Sequence, residues 1–330
     1  MYTPELYGAA LFMMIISMFC WGSWVNVHRL SKNWRFELFY WDFVWGILLW
    51  SLLLGVTLGR TNPTSPDGFF QNLSSASGHA VLCGMLSGAL WLVGNFLFFG
   101  GVVLAGMAVA FPIGLGLAIV IGSVLNYILK PMGNPWLLFG GLAMVCIAIV
   151  LDGMAYKKKL QGQVVSTKGV MLAAAGGILM GLFYPFVVKA TTGEGHLGPY
   201  TVGLIFGVGT AIINIPLNYF FMRRPVQGEP LTMRDYFAGS AKNHFWGFVS
   251  GFVFQTGTVL NYVVGYAKMV GPAVSYVMGQ GSSMVGTSWG VFVWKEFKGA
   301  NSQAVRLLVL MFIFFLAGLT AVALAPVVAH

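Results

Sequence analysis

The sequence predicts an all-α membrane protein of ten transmembrane helices in a 5+5 inverted repeat, with both termini extracytoplasmic. Three observations lead to this fold class. Hydrophobic residues make up 58% of the chain and charged residues only 8%, whereas a soluble domain carries about 25% charged residues. The apolar stretches are about 20 residues long, which is the length that a helix needs to cross a bilayer. A pattern of small residues in the first half of the chain also recurs in the second half.

The apolar stretches are separated by short polar loops, so no separate soluble domain is expected. Only helices or closed barrels satisfy every backbone polar group in lipid, and these stretches lack the strict alternation of barrel strands. The ten predicted spans are Leu6–Val27, Phe36–Leu58, Ala80–Val102, Met107–Leu129, Trp136–Ala155, Gly169–Val188, Thr201–Phe221, Phe245–Ala267, Val270–Trp294 and Ala304–Val327.

The 18 Lys and Arg residues are divided unevenly between the two sets of loops. Only Arg60, Lys130, Lys189 and Lys268 lie on one side, and the other fourteen lie on the side of the first loop. The positive-inside rule makes this basic side cytoplasmic, so both termini are expected outside the cytoplasm. The net charge of +9 therefore reflects membrane topology, and no nucleic-acid partner is predicted.

The fourth and ninth spans share small residues at a constant offset. Gly106, Ala108, Val109, Gly114, Gly116, Val120 and Ser123 recur as Gly271, Ala273, Val274, Gly279, Gly281, Val285 and Ser288. Because each half holds five spans, the halves must insert with opposite orientation, as in transporters built on inverted repeats. We therefore divide the chain into a first repeat (1–156), a basic cytoplasmic linker (157–168) and a second repeat (169–330).

Polar side chains inside several spans recur at helical spacing. Lipid does not tolerate such a face, so we expect these residues to line a wet cavity. The candidate substrate-binding residues are Trp21, Trp24, Trp91, Asn95, Gln255, Thr258, Tyr262, Tyr276, Gln280 and Ser283. Amides and hydroxyls backed by aromatic rings suit a neutral, flat or ring-shaped solute. The alternative is that these groups hydrogen-bond between helices, at about 1 kcal/mol each.

Asp42 lies about two turns inside the second span, among aromatic residues. An ionisable side chain at that depth is expensive and marks a functional site. Apolar surroundings favour its neutral form, so Asp42 is the candidate for proton coupling. The alternative is a structural ion pair with Arg29 or Arg35. Asp152, near the cytoplasmic end of the fifth span, is expected to be structural and within reach of the lysines at 157–158.

Glycines and prolines mark the places where spans can bend or slide against one another. Small residues let helix backbones approach closely, and a proline frees a backbone carbonyl and bends its helix. The candidate hinge or gating residues are Pro112, Gly114, Gly116, Tyr184, Pro185, Gly279 and Gly281.

Three segments resemble a known family. The run Gly122-Ser-Val-Leu-Asn-Tyr-Ile-Leu, the loop Trp294-Lys-Glu-Phe-Lys-Gly and the segment Tyr40-Trp-Asp-Phe resemble the plant ureide permeases. They are more loosely similar to the bacterial glucose/ribose porters and the rhamnose/proton symporter, all within the drug/metabolite transporter superfamily. The chain departs from the plant proteins in its short central linker, which looks bacterial and contains no nucleotide-binding motif.

The resemblance implies a ten-helix inverted repeat and proton-driven uptake of ureides, nucleobases or sugars, with Asp42 where the family carries an acid. We therefore expect an importer of a small neutral polar solute that works by alternating access in a bacterial inner membrane. An exporter of metabolites or drugs is the alternative, although spans three, four, eight and nine carry no acid to bind a cation. An enzyme is not predicted, since no catalytic constellation is recognisable, and neither a cofactor nor a metal is expected.

Overall fold

The structure of the protein is a computed structural model that describes residues 1–31, 34–60, 68–159 and 166–328. Within these ranges every regular element is helical, and no β-strand occurs. Eight helical stretches of the described chain are long and apolar enough to cross a membrane. The predicted class of all-α membrane protein is therefore confirmed. Half of the predicted linker, residues 160–165, lies outside the described residues.

Long helices are joined by short turns throughout the described chain. Three brief segments of other helical geometry occur, a 3₁₀ turn at Leu58–Arg60 and two π-helical turns at Phe111–Leu115 and Trp289–Val293. The α-helices are α1 (Tyr7–His28), α2 (Phe36–Thr57), α3 (Phe69–Ser75), α4 (Gly78–Ala105), α5 (Met107–Ala110), α6 (Gly116–Leu129), α7 (Pro135–Lys159), α8 (Thr167–Ala190), α9 (Pro199–Arg223), α10 (Met233–Phe237), α11 (Ala241–Tyr266), α12 (Pro272–Gln280), α13 (Ser282–Ser288) and α14 (Ser302–Val328).

The eight stretches correspond to predicted spans one to seven and ten. Helix α11 coincides with the predicted eighth span and has 26 residues, but it is not among the eight. Its interior carries polar side chains, including Gln255, Thr258 and Asn261, which lower its hydropathy. The predicted ninth span, Val270–Trp294, is divided at Gly281 into α12 and α13. The count of ten spans, their repeat and the orientation of the termini remain predictions.

Helix packing joins the two halves of the chain. Helix α4 lies against α8 and α9, α11 lies against α1 and α2, and α7 packs along α14. Small residues allow backbone contact at these crossings. A Cβ atom at Gly88 of α4 would lie 2.1 Å from the carbonyl oxygen of Phe206 in α9. Cβ atoms at Gly141 and Gly318 would each lie within 2.8 Å of the other's carbonyl oxygen, so α7 and α14 also touch at backbone distance.

The buried hydrophobic side chains form clusters that differ in their content of aromatic rings. Those around α7, α12 and α14 are mainly aliphatic. In a second cluster, which includes residues of α1, α2, α4 and α11, half of the buried hydrophobic side chains are aromatic, among them Trp24, Phe43, Trp91 and Phe254. Aromatic rings carry a large apolar surface and, in Trp and Tyr, one polar group. The aromatic half of the interior is therefore the half suited to hold a polar solute.

Candidate functional site

A cavity of about 370 Å³ lies inside the helix bundle. Its walls come from α1, α4, α8, α11, α12 and α13, with contributions from the π-helical turn at Phe111–Leu115. The size is within the range of sites for small molecules. Its lining combines many aromatic rings with a few amides and hydroxyls, which is the composition predicted for the site.

The aromatic wall is a continuous stack of rings. The ring of Trp24 lies 4.6 Å from that of Phe43, centroid to centroid, and their planes are nearly parallel. Trp91 and Phe254 are 4.3 Å apart, and Trp24 meets Phe254 edge-on at 5.7 Å. Because each ring is held by several others, the wall is a pre-formed apolar surface against which a flat solute can stack.

Polar groups face this wall from three helices. Asn95 of α4 lines the cavity, and its Oδ1 atom accepts a hydrogen bond from the Tyr40 hydroxyl behind it. Gln280, at the end of α12, and Ser283 of α13 also line the cavity. Neither of these two side chains has a hydrogen-bond partner in the part of the chain that the structure describes. They are therefore available to bind a solute.

Seven of the ten predicted substrate-binding residues line the cavity, and these are Trp21, Trp24, Trp91, Asn95, Tyr276, Gln280 and Ser283. The other three are buried beside it. Gln255 donates to the carbonyl oxygen of Gly203 at 3.1 Å, and Thr258 accepts from the Trp21 indole at 3.0 Å. Tyr262 packs against the ring of Tyr184 at 5.6 Å. The role of all ten in substrate binding stays a prediction.

One end of the cavity reaches a charged network between helices. Arg29 forms a salt bridge of 2.6 Å with Glu296, which also accepts a hydrogen bond of 3.0 Å from the Tyr156 hydroxyl. Nearby, Thr287 donates to Asp152 at 3.1 Å. Asp152 therefore bonds to a cavity residue, and among the described residues no salt bridge joins it to the lysines at 157–158 that the sequence placed within reach. The positive charge of Arg29 balances the negative charge of Glu296 at this end.

Asp42 is 1% exposed and lies outside the cavity lining. His244 Nδ1 lies 2.9 Å from Oδ2 of its carboxylate, and the Tyr236 hydroxyl donates to Oδ1 at 2.5 Å. Burial, followed by the hydrogen bond to Asp42, raises the pKa of the Tyr236 hydroxyl well above its usual range, so it remains a donor. The alternative pairing of Asp42 with Arg29 or Arg35 is wrong, because these arginines pair with acids elsewhere.

The partner of Arg35 is Glu37, which the sequence analysis did not consider. Glu37 is 1% exposed and receives two hydrogen bonds from the Arg35 guanidinium, at 2.6 and 3.2 Å. The same guanidinium also binds the carbonyl oxygens of Gln227 and Glu229, so it fixes the loop after α9. The two-residue spacing of Arg35 and Glu37 at the start of a helix was the available signal.

The predicted hinge residues lie in two kinds of place. Pro112 and Gly114 belong to the π-helical turn at Phe111–Leu115, with Gly116 directly after it, and Gly281 separates α12 from α13. Pi-helical turns and helix breaks are common at functional sites. The others lie within continuous helices: Tyr184 and Pro185 in α8, and Gly279 in α12 against the ring of Trp21. Their part in gating is not tested by these contacts.

Comparison with known proteins identifies the family. The ureide permease family matches residues 39–164 and 157–326. The chain belongs to this family. Ureide permease 1 of Arabidopsis thaliana is 23% identical over 381 residues, which cover 96% of this chain and 96% of that protein. A putative ribose uptake protein, RbsU, of Latilactobacillus sakei is 22% identical and covers 81% of this chain and 87% of its own length.

A known crystal structure has the same fold as this ureide permease family member. It covers 98% of this chain and 99% of its own, with a TM-score of 0.63 and 15% sequence identity. The predicted resemblance to ureide permeases and ribose porters is therefore confirmed. Membership of a permease family, together with the membrane-spanning helices, indicates an integral membrane transporter of small polar solutes rather than an enzyme.

Proposed function

We propose that this ureide permease family member is a secondary active transporter that imports a ureide, a nucleobase or a sugar. Import is coupled to protons and proceeds by alternating access. The observation that carries the proposal is the cavity, in which stacked aromatic rings face the unpartnered side chains of Gln280 and Ser283. Such a surface suits a small neutral solute with several hydrogen-bonding groups.

Helix contacts support ten spans in a 5+5 inverted repeat, with α11 and the α12–α13 unit as the eighth and ninth. In this repeat α1, α2 and α4 correspond to α8, α9 and α11. The contact of α4 with α8 then corresponds to that of α11 with α1, and the contact of α4 with α9 corresponds to that of α11 with α2. Gly106 and Gly271, at equivalent positions of the repeat, both precede a helix with positive φ, of 76° and 84°. Inverted repeats of this kind place the solute near the bilayer midplane.

The conformation described corresponds to an inward-facing state in this proposal. The cavity extends to Arg29, which is 44% exposed and lies on the side of the basic loops. At the opposite end the rings of Tyr184, Tyr262 and Tyr276 pack together, with Tyr184 5.1 Å from Tyr276. With the basic loops in the cytoplasm of a bacterial cell, the cavity faces inward and these tyrosines close it from outside.

Proton coupling is assigned to Asp42, which acts through helix packing because it does not line the cavity. Its carboxylate joins α2 to His244 of α11 and Tyr236 of α10. A Cβ atom at Gly247 would lie 2.4 Å from the Cβ of Asp42, so α2 and α11 are in close contact there. Protonation of Asp42 would remove the charge that attracts His244 and so alter this contact. Helix α11 also carries the cavity residue Phe254.

The test is uptake by proteoliposomes with an imposed pH gradient, acid on the uptake side. We expect accumulation of a labelled ureide, nucleobase or sugar, and its loss when a protonophore removes the gradient. The alternative, an exporter of organic cations, has some support from Glu296 at the cavity's end, but Arg29 neutralises that acid. Cation efflux against a proton gradient, without uptake of any neutral solute, would replace the importer proposal with this alternative.

A further inference from the structure

Asn95 is held in position by a residue that does not itself reach the cavity. The Tyr40 hydroxyl, from α2, donates a hydrogen bond to Oδ1 of Asn95 in α4. Both side chains are buried, at 3% and 6% exposure, and only Asn95 belongs to the cavity lining. A side-chain amide carries an acceptor on one atom and two donors on the other. Fixing the oxygen toward Tyr40 therefore turns the NH₂ group toward the cavity.

The groups next to this NH₂ are also donors. Trp24 and Trp91 line the same wall, and an indole N–H can only donate. Neither indole N–H has a hydrogen-bond partner among the described residues. Neither is among the described polar atoms that are fully buried without a partner. The Asn95 NH₂ group likewise has no partner in the described chain. Among the described side chains, this end of the cavity thus presents three donor groups, and the one amide oxygen, that of Asn95, is already engaged by Tyr40.

The rest of the cavity differs in its hydrogen-bonding character. Gln280 and Ser283 can each donate and accept, and the described structure engages neither side chain. The indole N–H of Trp21 is already bound to Thr258, and the Tyr276 hydroxyl donates to the carbonyl oxygen of Ala118. The donor-only character is therefore confined to the aromatic end, where Tyr40 sets the orientation of the amide.

We propose that Tyr40 is a positioning residue for substrate selection: it orients the Asn95 amide so that the aromatic end of the cavity selects solutes with a carbonyl-type acceptor. The inference rests on the proposed function, since it assumes that the solute occupies this cavity. A solute with an amino group at the position of that carbonyl would place its N–H donors against the donors of the cavity wall, so no hydrogen bond could form there. A site built to hydrogen-bond one substrate group rejects an analogue that lacks this group. We therefore expect the carbonyl solute to bind about tenfold or more tightly than its amino analogue.

The variant Tyr40→Phe removes the hydroxyl and keeps the ring, so it tests the hydrogen bond separately from the packing. The Tyr40 ring packs against Phe96 at 4.6 Å and Phe43 at 5.3 Å, and these contacts are kept by phenylalanine. Loss of the hydroxyl frees the Asn95 amide to turn over and offer its oxygen instead. A matched control is Tyr7→Phe. It also removes a partly buried hydroxyl, which donates a hydrogen bond to the carbonyl oxygen of Ala323, but Tyr7 does not line the cavity.

The test measures binding of isosteric rings that differ in one carbonyl or amino group, uracil against cytosine and hypoxanthine against adenine. Wild type and Tyr7→Phe should prefer the carbonyl member by about tenfold, and Tyr40→Phe should reduce the preference to about twofold or less. A merely structural role would weaken both members of a pair equally and leave their ratio unchanged.

Three outcomes would overturn the inference: a ratio unchanged in Tyr40→Phe, a wild-type preference for the amino member, or no binding of either member to wild type. The proposed function fails in a different way, when no neutral solute of any class binds to or is taken up by the wild-type protein. Uptake of a neutral solute with unchanged discrimination in Tyr40→Phe would remove only the role assigned to Tyr40.

Discussion

Replacing Gln280 by alanine is the most direct test of the cavity as the solute site. Gln280 is the last residue of α12 and lines the cavity. Its side chain has no hydrogen-bond partner in the described part of the chain, so Gln280→Ala leaves no other protein group unpaired. The substitution should therefore change the stability of the free protein little and act mainly on the bound solute.

The expected size of the effect follows from one lost hydrogen bond. A net contribution of about 1 kcal/mol from this hydrogen bond to the free energy of binding means that its loss raises the dissociation constant about fivefold. A ligand at 100 times its wild-type dissociation constant stabilises the folded protein by about 2.7 kcal/mol. The same concentration should stabilise Gln280→Ala by about 1.8 kcal/mol, because the ratio of ligand to dissociation constant falls from about 100 to about 20.

The assay is thermal unfolding of the detergent-purified protein over a range of ligand concentrations. The midpoint of the concentration dependence should move to about fivefold higher ligand in Gln280→Ala. Gln303→Ala is the matched control, because Gln303 is exposed at the start of α14. Identical ligand dependence in wild type, Gln280→Ala and Gln303→Ala would refute the assignment of the solute to this cavity.

Three further substitutions test separate parts of the structure. Asp42→Asn should abolish the pH dependence of uptake but keep ligand-induced stabilisation, since Asp42 lies outside the cavity; retained pH dependence in proteoliposomes would contradict the coupling role. Gly88→Ala should lower thermal stability by about 1–3 kcal/mol, because its methyl group would meet a carbonyl of α9, whereas Gly140→Ala, in open space, should be neutral. Tyr262→Phe should raise stability or leave it unchanged, because it removes a buried hydroxyl without a described partner; a large loss would contradict this.

The helices could be predicted closely because length and apolarity are local properties of the chain. The predicted second span, Phe36–Leu58, is almost the same as α2. The interruption of the ninth span at Gly281 was not predicted, although that glycine was singled out as a hinge. Glycine is tolerated inside membrane helices as well as at their breaks, so its presence alone does not locate a break.

The cavity could be predicted in part because polar faces on separate helices must turn toward the protein interior. Periodicity does not say which interior contacts a face will make, and so Gln255, Thr258 and Tyr262 were grouped with residues that line the cavity. The partner of Asp42 was missed for a related reason. His244 is 202 residues away in the sequence, whereas the arginines considered instead are close in sequence and paired with other acids.

Helix α11 combines two properties that bear on how access to the cavity could change. It carries four buried polar atoms without a partner in the described structure: Nε1 of Trp246, Oε1 of Gln255, Oδ1 of Asn261 and the hydroxyl of Tyr262. Each such atom costs about 1–3 kcal/mol where water is excluded, so the packing of α11 in this conformation is not its polar optimum. Glycines also form part of its contacts with neighbouring helices: Gly251 lies against the backbone of α2, and Gly257 lies against α1. Because unpaired groups favour displacement and glycine contacts oppose it little, we expect α11 to be the helix that moves most readily against α1 and α2.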